Sequence, residues 1–349
     1  MKKFNSGNFF EDFSVGQLIT HGSPRTITEG DVSFYVALTG SQFAINTAST
    51  VAQTCGFERT PIDNLLVFHL AFGKTVPDIS LNAVANLGYA ECEFKQPAYT
   101  GDTLAVSSTV IGLKENSNGK SGIVYVHSVA TNQNNNIVVE WKRWVMVKKK
   151  SQEITGTAAV IPDLSPCVSD IENLLPPSIN LSNFESDWTG SSYFWQDYSV
   201  GEYINHIDGI TINDSDHSLA TRLYQNNAKV HFNQHLMESS PMKQRLVYGG
   251  HIISLCRAIS YNGLGNAQWL CAINGGSHNN PSFAGDTIYC ISEILDKGEI
   301  ANRNDIGWLR VKSYGLKNHT AESANKPLES VSKSNIVLEL DYTLLIAKR

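Results

Sequence analysis

The chain carries two copies of one pattern, and this duplication limits the possible folds more than any other feature. Residues 9–17, FFEDFSVGQ, return as residues 193–202, YFWQDYSVGE, with DFSVG aligned on DYSVG at an offset of 185. Downstream, residues 97–103, PAYTGDT, match residues 281–287, PSFAGDT, at an offset of 184. Matching segments that keep their order and nearly constant spacing indicate a duplicated domain. Two copies are too few for a solenoid, which needs at least three repeats.

The repeat predicts where the two halves lie. We expect one half at 1–150, the other at 191–349, and a linker at 151–190. The linker is rich in Pro, Ser and Asn and has no strong periodicity, which is typical of a segment that crosses the surface. A second irregular stretch, 319–335, interrupts the later half just before its last strand.

Both halves show the same succession of predicted elements. An amphipathic segment follows the SVG turn at 29–38 and again at 214–223, and a helical run follows from Leu65 and from His251. Segments rich in β-branched and aromatic residues predict strands at 104–113, 122–131, 137–147, 287–295, 308–314 and 336–346. The pattern predicts an α+β fold in which each half wraps an antiparallel sheet around one long helix. Joining the two sheets would remove one exposed edge from each half.

Composition argues against several classes of function. The net charge is −6, the pI is about 5.9, and no basic run exceeds Lys148 to Lys150, so we expect no nucleic-acid partner. No apolar stretch is long enough to span a membrane, and the first residues do not resemble a signal peptide. The six cysteines show neither CxxC pairs nor a metal spacing, which predicts reduced thiols in a cytoplasmic protein.

The repeat and the two PxxxGDT turns make the sequence similar to the MaoC-like dehydratases, whose members adopt the hot-dog fold. Residues 67–94 and 246–255, with the stretch around 262–267, resemble the mesaconyl-CoA hydratase branch, also called β-methylmalyl-CoA dehydratase. The resemblance covers essentially the whole chain. It implies a double hot-dog, a homodimer, an acyl-CoA thioester substrate, and no cofactor beyond the CoA that the substrate carries.

The hydratase motif of this family reads Gly-Asp-x-Asn-Pro-Ile-His. In the second half, residues 225–231 correspond to it; His231 is kept, and Asn226 stands at the position of the Asp. In the first half, Ser41 and Asn46 stand at the Asp and His positions. The resemblance therefore implies that catalysis belongs to the second half and that the first half mainly shapes the substrate groove.

Hydration of an enoyl thioester needs a proton carrier and a stabilised thioester oxygen. A histidine suits the proton transfer near neutral pH, so His231 is the predicted general acid and base. Backbone N–H groups at a helix start suit the oxygen, and Gly249 and Gly250 open the helical run before His251. Asn226 is predicted to orient the attacking water molecule. Its amide can donate and accept hydrogen bonds, but unlike the carboxylate of an Asp it cannot take a proton.

A second carboxylate beside a dicarboxylic substrate would be repelled, which is one hypothesis for Asn226 in place of Asp. Arg222 and Lys229 are candidate partners for the substrate carboxylate. Arg143 lies between Trp141 and Trp144 on the last strand of the first half, where we expect packing.

The resemblance also implies which residues line the acyl-CoA groove: Asp63, Asn64, Leu65, Leu66, Asn86, Leu87, Gly88, Tyr89, Pro97, Ala98, Tyr99 and Gly249. Simpler interpretations compete with this one. Asp63 is a plausible N-cap whatever the function. Residues 86–89 and 97–99 are also typical of a strand and a turn, and Ser41 is better explained as a turn residue.

The favoured prediction is reversible hydration of a short branched enoyl-CoA, with mesaconyl-CoA and β-methylmalyl-CoA as the pair. Another hydratase, for itaconyl-CoA or a similar ester, is the first alternative. The second alternative is a catalytically inactive acyl-CoA-binding protein, suggested by the missing Asp and the altered motif of the first half.

Overall fold

The structure is a computed structural model that describes residues 3–151, 153–154, 156, 158–320 and 328–349. Parts of the predicted linker and of the stretch 319–335 therefore lie outside the described residues. The α-helices are α1 (Glu29–Thr39), α2 (Ala44–Thr47), α3 (Ser49–Thr54), α4 (Asn64–Thr75), α5 (Asp214–Leu223), α6 (Lys229–Phe232), α7 (Gln234–Glu238), α8 (Gly249–Ile259) and α9 (Tyr261–Leu264). The strands are β1 (Leu18–Thr20), β2 (Arg25–Thr26), β3 (Ala83–Phe94), β4 (Thr103–Glu115), β5 (Ser121–Thr131), β6 (Ile137–Lys148), β7 (Tyr203–Thr211), β8 (Trp269–Ser277), β9 (Thr287–Glu299), β10 (Ile306–Lys317) and β11 (Ile336–Ala347).

One continuous antiparallel sheet runs through both halves. Its order is β1-β4-β5-β6-β3-β8-β11-β10-β9-β7, and β2 pairs with β4. The halves meet where β3 pairs with β8, with Tyr89 opposite Gly276 and Glu93 opposite Ala272. The predicted α+β architecture with joined sheets is thus confirmed, and the predicted strands appear with slightly longer bounds. Strand β8, which makes the junction, was not predicted.

The long helices α4 and α8 lie side by side in opposite directions inside this sheet. Nε2 of His69 is 2.9 Å from Oγ of Ser254, and the ring of Phe72 is 5.9 Å from that of Tyr248. The end of α4 therefore lies beside the beginning of α8. Because a helix rises 1.5 Å per residue, Asp63 lies about 14 Å from Phe72 along α4. The two helix starts consequently lie at opposite ends of the helix pair.

The duplication extends to buried hydrogen bonds. Each half contains a His–Ser–Ser chain in which the imidazole Nε2 lies 2.8 Å from the first hydroxyl and the two hydroxyls lie 2.7 Å apart. The members are His21, Ser108 and Ser128 in the first half, and His206, Ser292 and Ser313 in the second. These positions differ by 184 or 185 residues, the offset of the sequence repeat.

Three further findings bear on function. None of the helices in the described part of the chain has the length and apolar character needed to cross a lipid bilayer. Within the same residues, no three His, Cys, Asp or Glu side chains come together in a group that could hold a metal ion. All six cysteines are free thiols.

Candidate active site

His231 lies on α6, directly after the turn that begins at Asn226. Its Nδ1 is 3.0 Å from the backbone oxygen of Leu246. Because a carbonyl oxygen can only accept, Nδ1 carries the proton and Nε2 keeps its lone pair. Burial lowers the pKa of His231 to about 4, although its hydrogen bond to Leu246 opposes the shift. The imidazole is therefore neutral at pH 7, with Nε2 ready to accept a proton.

The two long helices begin differently. In α4, the carboxylate of Asp63 accepts a hydrogen bond of 2.8 Å from the N–H of Leu65, which caps the helix as one interpretation predicted. In α8, Tyr248 occupies the N-cap position but supplies no side-chain hydrogen bond. The N–H groups of the first turn have no acceptor within a helix, so those of Gly249 and Gly250 remain available. An oxyanion can therefore bind at the start of α8, whereas a carboxylate already occupies the start of α4.

His278 is a residue of this site that the sequence analysis missed. It follows β8, and its Nε2 lies 3.1 Å from the hydroxyl oxygen of Tyr89 on β3 of the other half. Burial first, and then repulsion from His231 when that imidazole is protonated, lower the pKa of His278 to about 4. Its ring packs so closely on α8 that a Cβ at Gly249 would lie 2.5 Å from its Cε1. Position 278 corresponds to Phe94 in the first copy, and comparison of the two copies could have drawn attention to it.

Aromatic rings from both halves pack around Tyr248. The rings of His231 and His69 lie 5.7 Å from that of Tyr248, and those of Tyr224 and Phe72 lie 5.8 and 5.9 Å away. The hydroxyl oxygen of Tyr248 is buried and has no hydrogen-bond partner in the described part of the chain. An enclosed, mostly apolar site with few polar groups is typical of a small-molecule binding site.

Asn226 shapes the turn into α6. Its Oδ1 accepts a hydrogen bond of 3.1 Å from the N–H of Ala228, and the side chain is buried. It also lines a cavity of about 370 Å³ that is bordered by Gly73, Lys74, Arg222, Gln225 and Phe232. Asn226 thus links the His231 turn to this cavity. Arg222 and Lys229, the predicted carboxylate partners, are both exposed.

The structure divides the predicted groove residues between two places. Tyr89 and Gly249 lie at the His231 site, but Asp63 and its neighbours lie at the opposite end of the helix pair. There, Nδ2 of Asn64 donates to the oxygen of Leu270 at 2.7 Å. The space among Asp63, Asn64 and Leu65 is only about 10 Å³, enough for one water molecule. The structure therefore places Asp63, Asn64 and Leu65 away from Gly249, and their role in substrate binding stays a prediction.

The other predicted groove residues are also separated. The oxygen of Ala98 accepts from the N–H of Ile62, and the guanidinium of Arg59 lies 4.7 Å from the ring centre of Tyr99, so residues 97–99 lie near the start of α4. The indole of Trp144 packs on Gly88, where a Cβ would lie 2.3 Å from it. Leu66 is wholly buried in the core and Leu87 is half-buried.

In the first half, the protein's own side chains fill the motif positions. Nδ2 of Asn46 donates to the oxygen of Pro61 at 3.0 Å, and Ser41 is buried. The guanidinium of Arg257 lies 3.5 Å from the ring centre of Phe43. The long helix that begins at this end, α4, is capped by Asp63, in contrast to the start of α8 at the His231 site.

Comparison with known proteins places these features in a family. The profile of the mesaconyl-CoA hydratase family matches residues 2–328. The β-methylmalyl-CoA dehydratase of Chloroflexus aurantiacus is 52% identical over 348 residues, 99% of each chain. The mesaconyl-CoA hydratase of Cereibacter sphaeroides is 44% identical over 99% of this chain and 100% of its own.

Solved structures agree on the fold. The crystal structure of a MaoC domain protein dehydratase from Chloroflexus aurantiacus is 52% identical, covers both chains completely, and has a TM-score of 0.96. A conserved protein of Mycobacterium tuberculosis, described as a double hot-dog fold, has a TM-score of 0.76 at 22% identity and covers 97% of this chain and 98% of its own. The predicted double hot-dog is thereby confirmed.

Proposed function

Since this chain belongs to the mesaconyl-CoA hydratase family, we propose that it catalyses the reversible addition of water to mesaconyl-CoA, which gives β-methylmalyl-CoA. It is a hydro-lyase. The observation that carries the assignment of the site is the uncapped start of α8 beside a neutral imidazole. His231 has its Nδ1 bound to a carbonyl and its Nε2 free, so it is set to act as a base.

In the proposed reaction, the thioester oxygen accepts hydrogen bonds from the N–H groups of Gly249 and Gly250. Nε2 of His231 takes one proton from a water molecule while the hydroxyl adds to Cβ of the acyl group. The electron pair of the double bond then moves toward the thioester, and the enolate charge develops on the oxygen at the start of α8. The proton returns from His231 to Cα, so that one water molecule is added and no charge remains.

Asn226 has a supporting role in this proposal. Its Oδ1 holds the turn through Ala228, which fixes the backbone from which His231 projects. Its amide Nδ2 can still donate to the attacking water, as the sequence predicts. Unlike an Asp at the same place, Asn226 adds no negative charge near a substrate that carries its own carboxylate.

The cavity of about 370 Å³ is the proposed location of the CoA moiety. It is bordered by Asn226 and by the cationic side chains Lys74 and Arg222. CoA carries several phosphate charges, which cations at a cavity rim attract. The acyl group would extend from this cavity to the space between His231, Tyr248 and His278.

A panel of enoyl-CoA esters tests the function. Purified protein is incubated with mesaconyl-CoA, itaconyl-CoA and crotonyl-CoA, and loss of ultraviolet absorbance from the conjugated thioester is followed. We expect the highest kcat/KM with mesaconyl-CoA and its loss in His231→Gln. Preference for itaconyl-CoA would favour the alternative hydratase. Tight binding without turnover of any ester would favour the inactive binding protein.

Three predictions from the sequence stay within the proposal. These are the limits of the halves at 1–150 and 191–349, a cytoplasmic location, and a homodimer. Free thiols at all six cysteines are consistent with a reducing compartment. Size-exclusion chromatography with light scattering tests the homodimer, for which a mass of twice 38.4 kDa is expected.

A further inference from the structure

Arg143 on β6 is a buried cation without a counterion. Only 1% of the residue is exposed. Its Nη2 donates to Oγ1 of Thr75 at 2.8 Å, whereas Nε and Nη1 are buried without a partner. Among the described residues, no carboxylate lies within ion-pair distance of it. Burial lowers the pKa of Arg143 to about 10, so the guanidinium still carries its charge at pH 7.

Such a group is unfavourable unless something binds to it. Burial of an ion costs several kcal/mol, and an apolar side chain of similar volume is often the more stable choice. Unsatisfied buried donors add to this cost. Since the charge of Arg143 has no ion pair among the residues that the structure describes, its position suggests that an anion from outside completes the site.

Arg143 lies next to the aromatic rings around Tyr248, where the proposed function places the acyl group. Its guanidinium lies 4.2 Å from the ring centre of Phe72. That ring is 6.0 Å from the ring of Tyr89 and 5.9 Å from that of Tyr248, and Tyr248 in turn contacts His231. Arg143 and His231 are thus both in contact with the ring pair formed by Phe72 and Tyr248. Tyr89 is also the direct cross-strand partner of Arg143.

A second unsatisfied polar side chain faces the same side of the sheet. Asn86 on β3 is opposite Val145, and residues 143 and 145 point to one face because strand side chains alternate. Both Nδ2 and Oδ1 of Asn86 are buried without a partner. The guanidinium of Arg143 and Nδ2 of Asn86 are donors, Oδ1 of Asn86 is an acceptor, and the hydroxyl of Tyr248 can act as either. Arg143 and Asn86 thus lie on the same face of the sheet, next to the aromatic rings of the site.

We propose that Arg143, assisted by Asn86, binds the free carboxylate of the acyl group and thereby selects dicarboxylic over uncharged enoyl-CoA esters. This inference rests on the proposed function and names the residue that sets its substrate class. A guanidinium can hold a carboxylate through two parallel hydrogen bonds, and Nε and Nη1 are both free. Arg222 and Lys229 are exposed, and a water-exposed ion pair contributes little.

The chain contains a matched control in Arg257 on α8. It is also buried, packs on an aromatic ring, and has a pKa lowered to about 10 by burial. However, it donates to the backbone oxygen of Ala267 and to Oγ of Ser260, and the carboxylate of Asp63 partly compensates its charge. Arg257 thus has internal partners and lies at the opposite end of the helix pair.

The test compares two substrates in two variants. Mesaconyl-CoA is compared with 2-methylcrotonyl-CoA, in which a methyl group replaces the carboxylate. For Arg143→Met, we expect the ratio of kcat/KM for the two esters to fall about 100-fold, as loss of a buried charged contact predicts. Arg143→Lys should recover part of the ratio, and Arg257→Met should leave it unchanged. A ratio that stays at the wild-type value in Arg143→Met overturns the inference.

Binding without turnover separates this inference from the proposed function. Calorimetry with methylsuccinyl-CoA and 2-methylbutyryl-CoA measures carboxylate recognition by saturated esters. We expect wild type to prefer the dicarboxylic ester and Arg143→Met to lose the preference while keeping its thermal unfolding midpoint. An unchanged preference overturns the carboxylate role even if the enzyme hydrates mesaconyl-CoA. Conversely, wild type that binds methylsuccinyl-CoA through Arg143 but hydrates no enoyl-CoA would contradict only the proposed function.

Discussion

A single methyl group at Gly249 tests whether the thioester binds at the start of α8. The Cβ of Gly249→Ala would lie 2.5 Å from Cε1 of His278 and 2.6 Å from both ring nitrogens. Carbon atoms pack at about 3.5 to 4.0 Å, so the imidazole must move by about 1 Å. Alanine is a better helix former than glycine, so the backbone of α8 itself has no reason to change. The effect of the substitution is therefore confined to His278 and the space beside it.

The displacement predicts a large loss of activity and a small loss of stability. Movement of His278 breaks its 3.1 Å contact with Tyr89 and narrows the space where the thioester oxygen must bind. A misplacement of about 1 Å at a reacting centre costs roughly 100-fold in rate. Overpacking costs about 1 to 3 kcal/mol of folding free energy, which a protein of this size tolerates. We therefore expect kcat/KM to fall about 100-fold in a folded protein.

The assay is the hydration of mesaconyl-CoA, followed as loss of thioester absorbance, together with a thermal unfolding curve. Gly275→Ala on β8 is the control, because its Cβ would meet only the oxygen of Tyr89 at an ordinary 3.7 Å. We expect the control to keep wild-type kcat/KM. If Gly249→Ala is as active as the control, the thioester does not bind at the start of α8, and the assigned mechanism is wrong.

Three further predictions concern the motif of the second half. His231→Gln should lower kcat about 100- to 10,000-fold, as loss of a general base does, whereas the dissociation constant for mesaconyl-CoA should change only a few-fold. Stopped-flow kinetics measures kcat and calorimetry measures the dissociation constant. A retained kcat would exclude His231 as the base. Because burial lowers the pKa of His231 to about 4, the neutral base form persists down to about that pH. The value of kcat/KM should therefore stay constant from pH 8 to 5 and fall tenfold per pH unit below 4. A fall in kcat/KM that begins near pH 6.5 would contradict this. Asn226→Asp keeps the acceptor for Ala228 but adds a negative charge at the turn before His231. Because mesaconyl-CoA is an anion, its kcat/KM should fall about tenfold, the equivalent of one pKa unit of repulsion, whereas a rise would refute the repulsion.

The sequence predicted the fold wherever a local pattern and the repeat supported each other. The predicted strands of both halves are rich in β-branched and aromatic residues, and the long helices α4 and α8 follow matching segments of the repeat. Strand β8 was missed because Trp269 to Ile273 form a continuous buried apolar run, whose periodicity does not distinguish a strand from a helix. The same strand joins the halves, so the contact between them could not be placed from local patterns.

The sequence indicated only those residues of the site that lie close together along the chain. His231 and the start of α8 belong to one short region, and the sequence indicated both. His278 contacts Tyr89 across 189 residues, and no local signal reports such a pairing. Arg143 resembles a packing residue in the sequence, because only the structure shows that two of its nitrogens have no partner.

The residues predicted to line the groove lie at two places because the two long helices run in opposite directions. The resemblance indicates which segments line a groove, but it does not give the direction of the two helices. Because α4 and α8 are antiparallel, Asp63 and Tyr248 lie at opposite ends of the helix pair. In addition, Asp63 caps α4 and occupies the place that an oxyanion would need there.

The most direct test of the central claim is a crystal structure of the His231→Gln variant with mesaconyl-CoA, since this variant should bind the ester without converting it. We expect the thioester oxygen within hydrogen-bond distance of the N–H groups of Gly249 and Gly250, with the double bond facing residue 231. An acyl group bound instead beside Asp63 and Asn64, at the other end of the helix pair, would contradict the account.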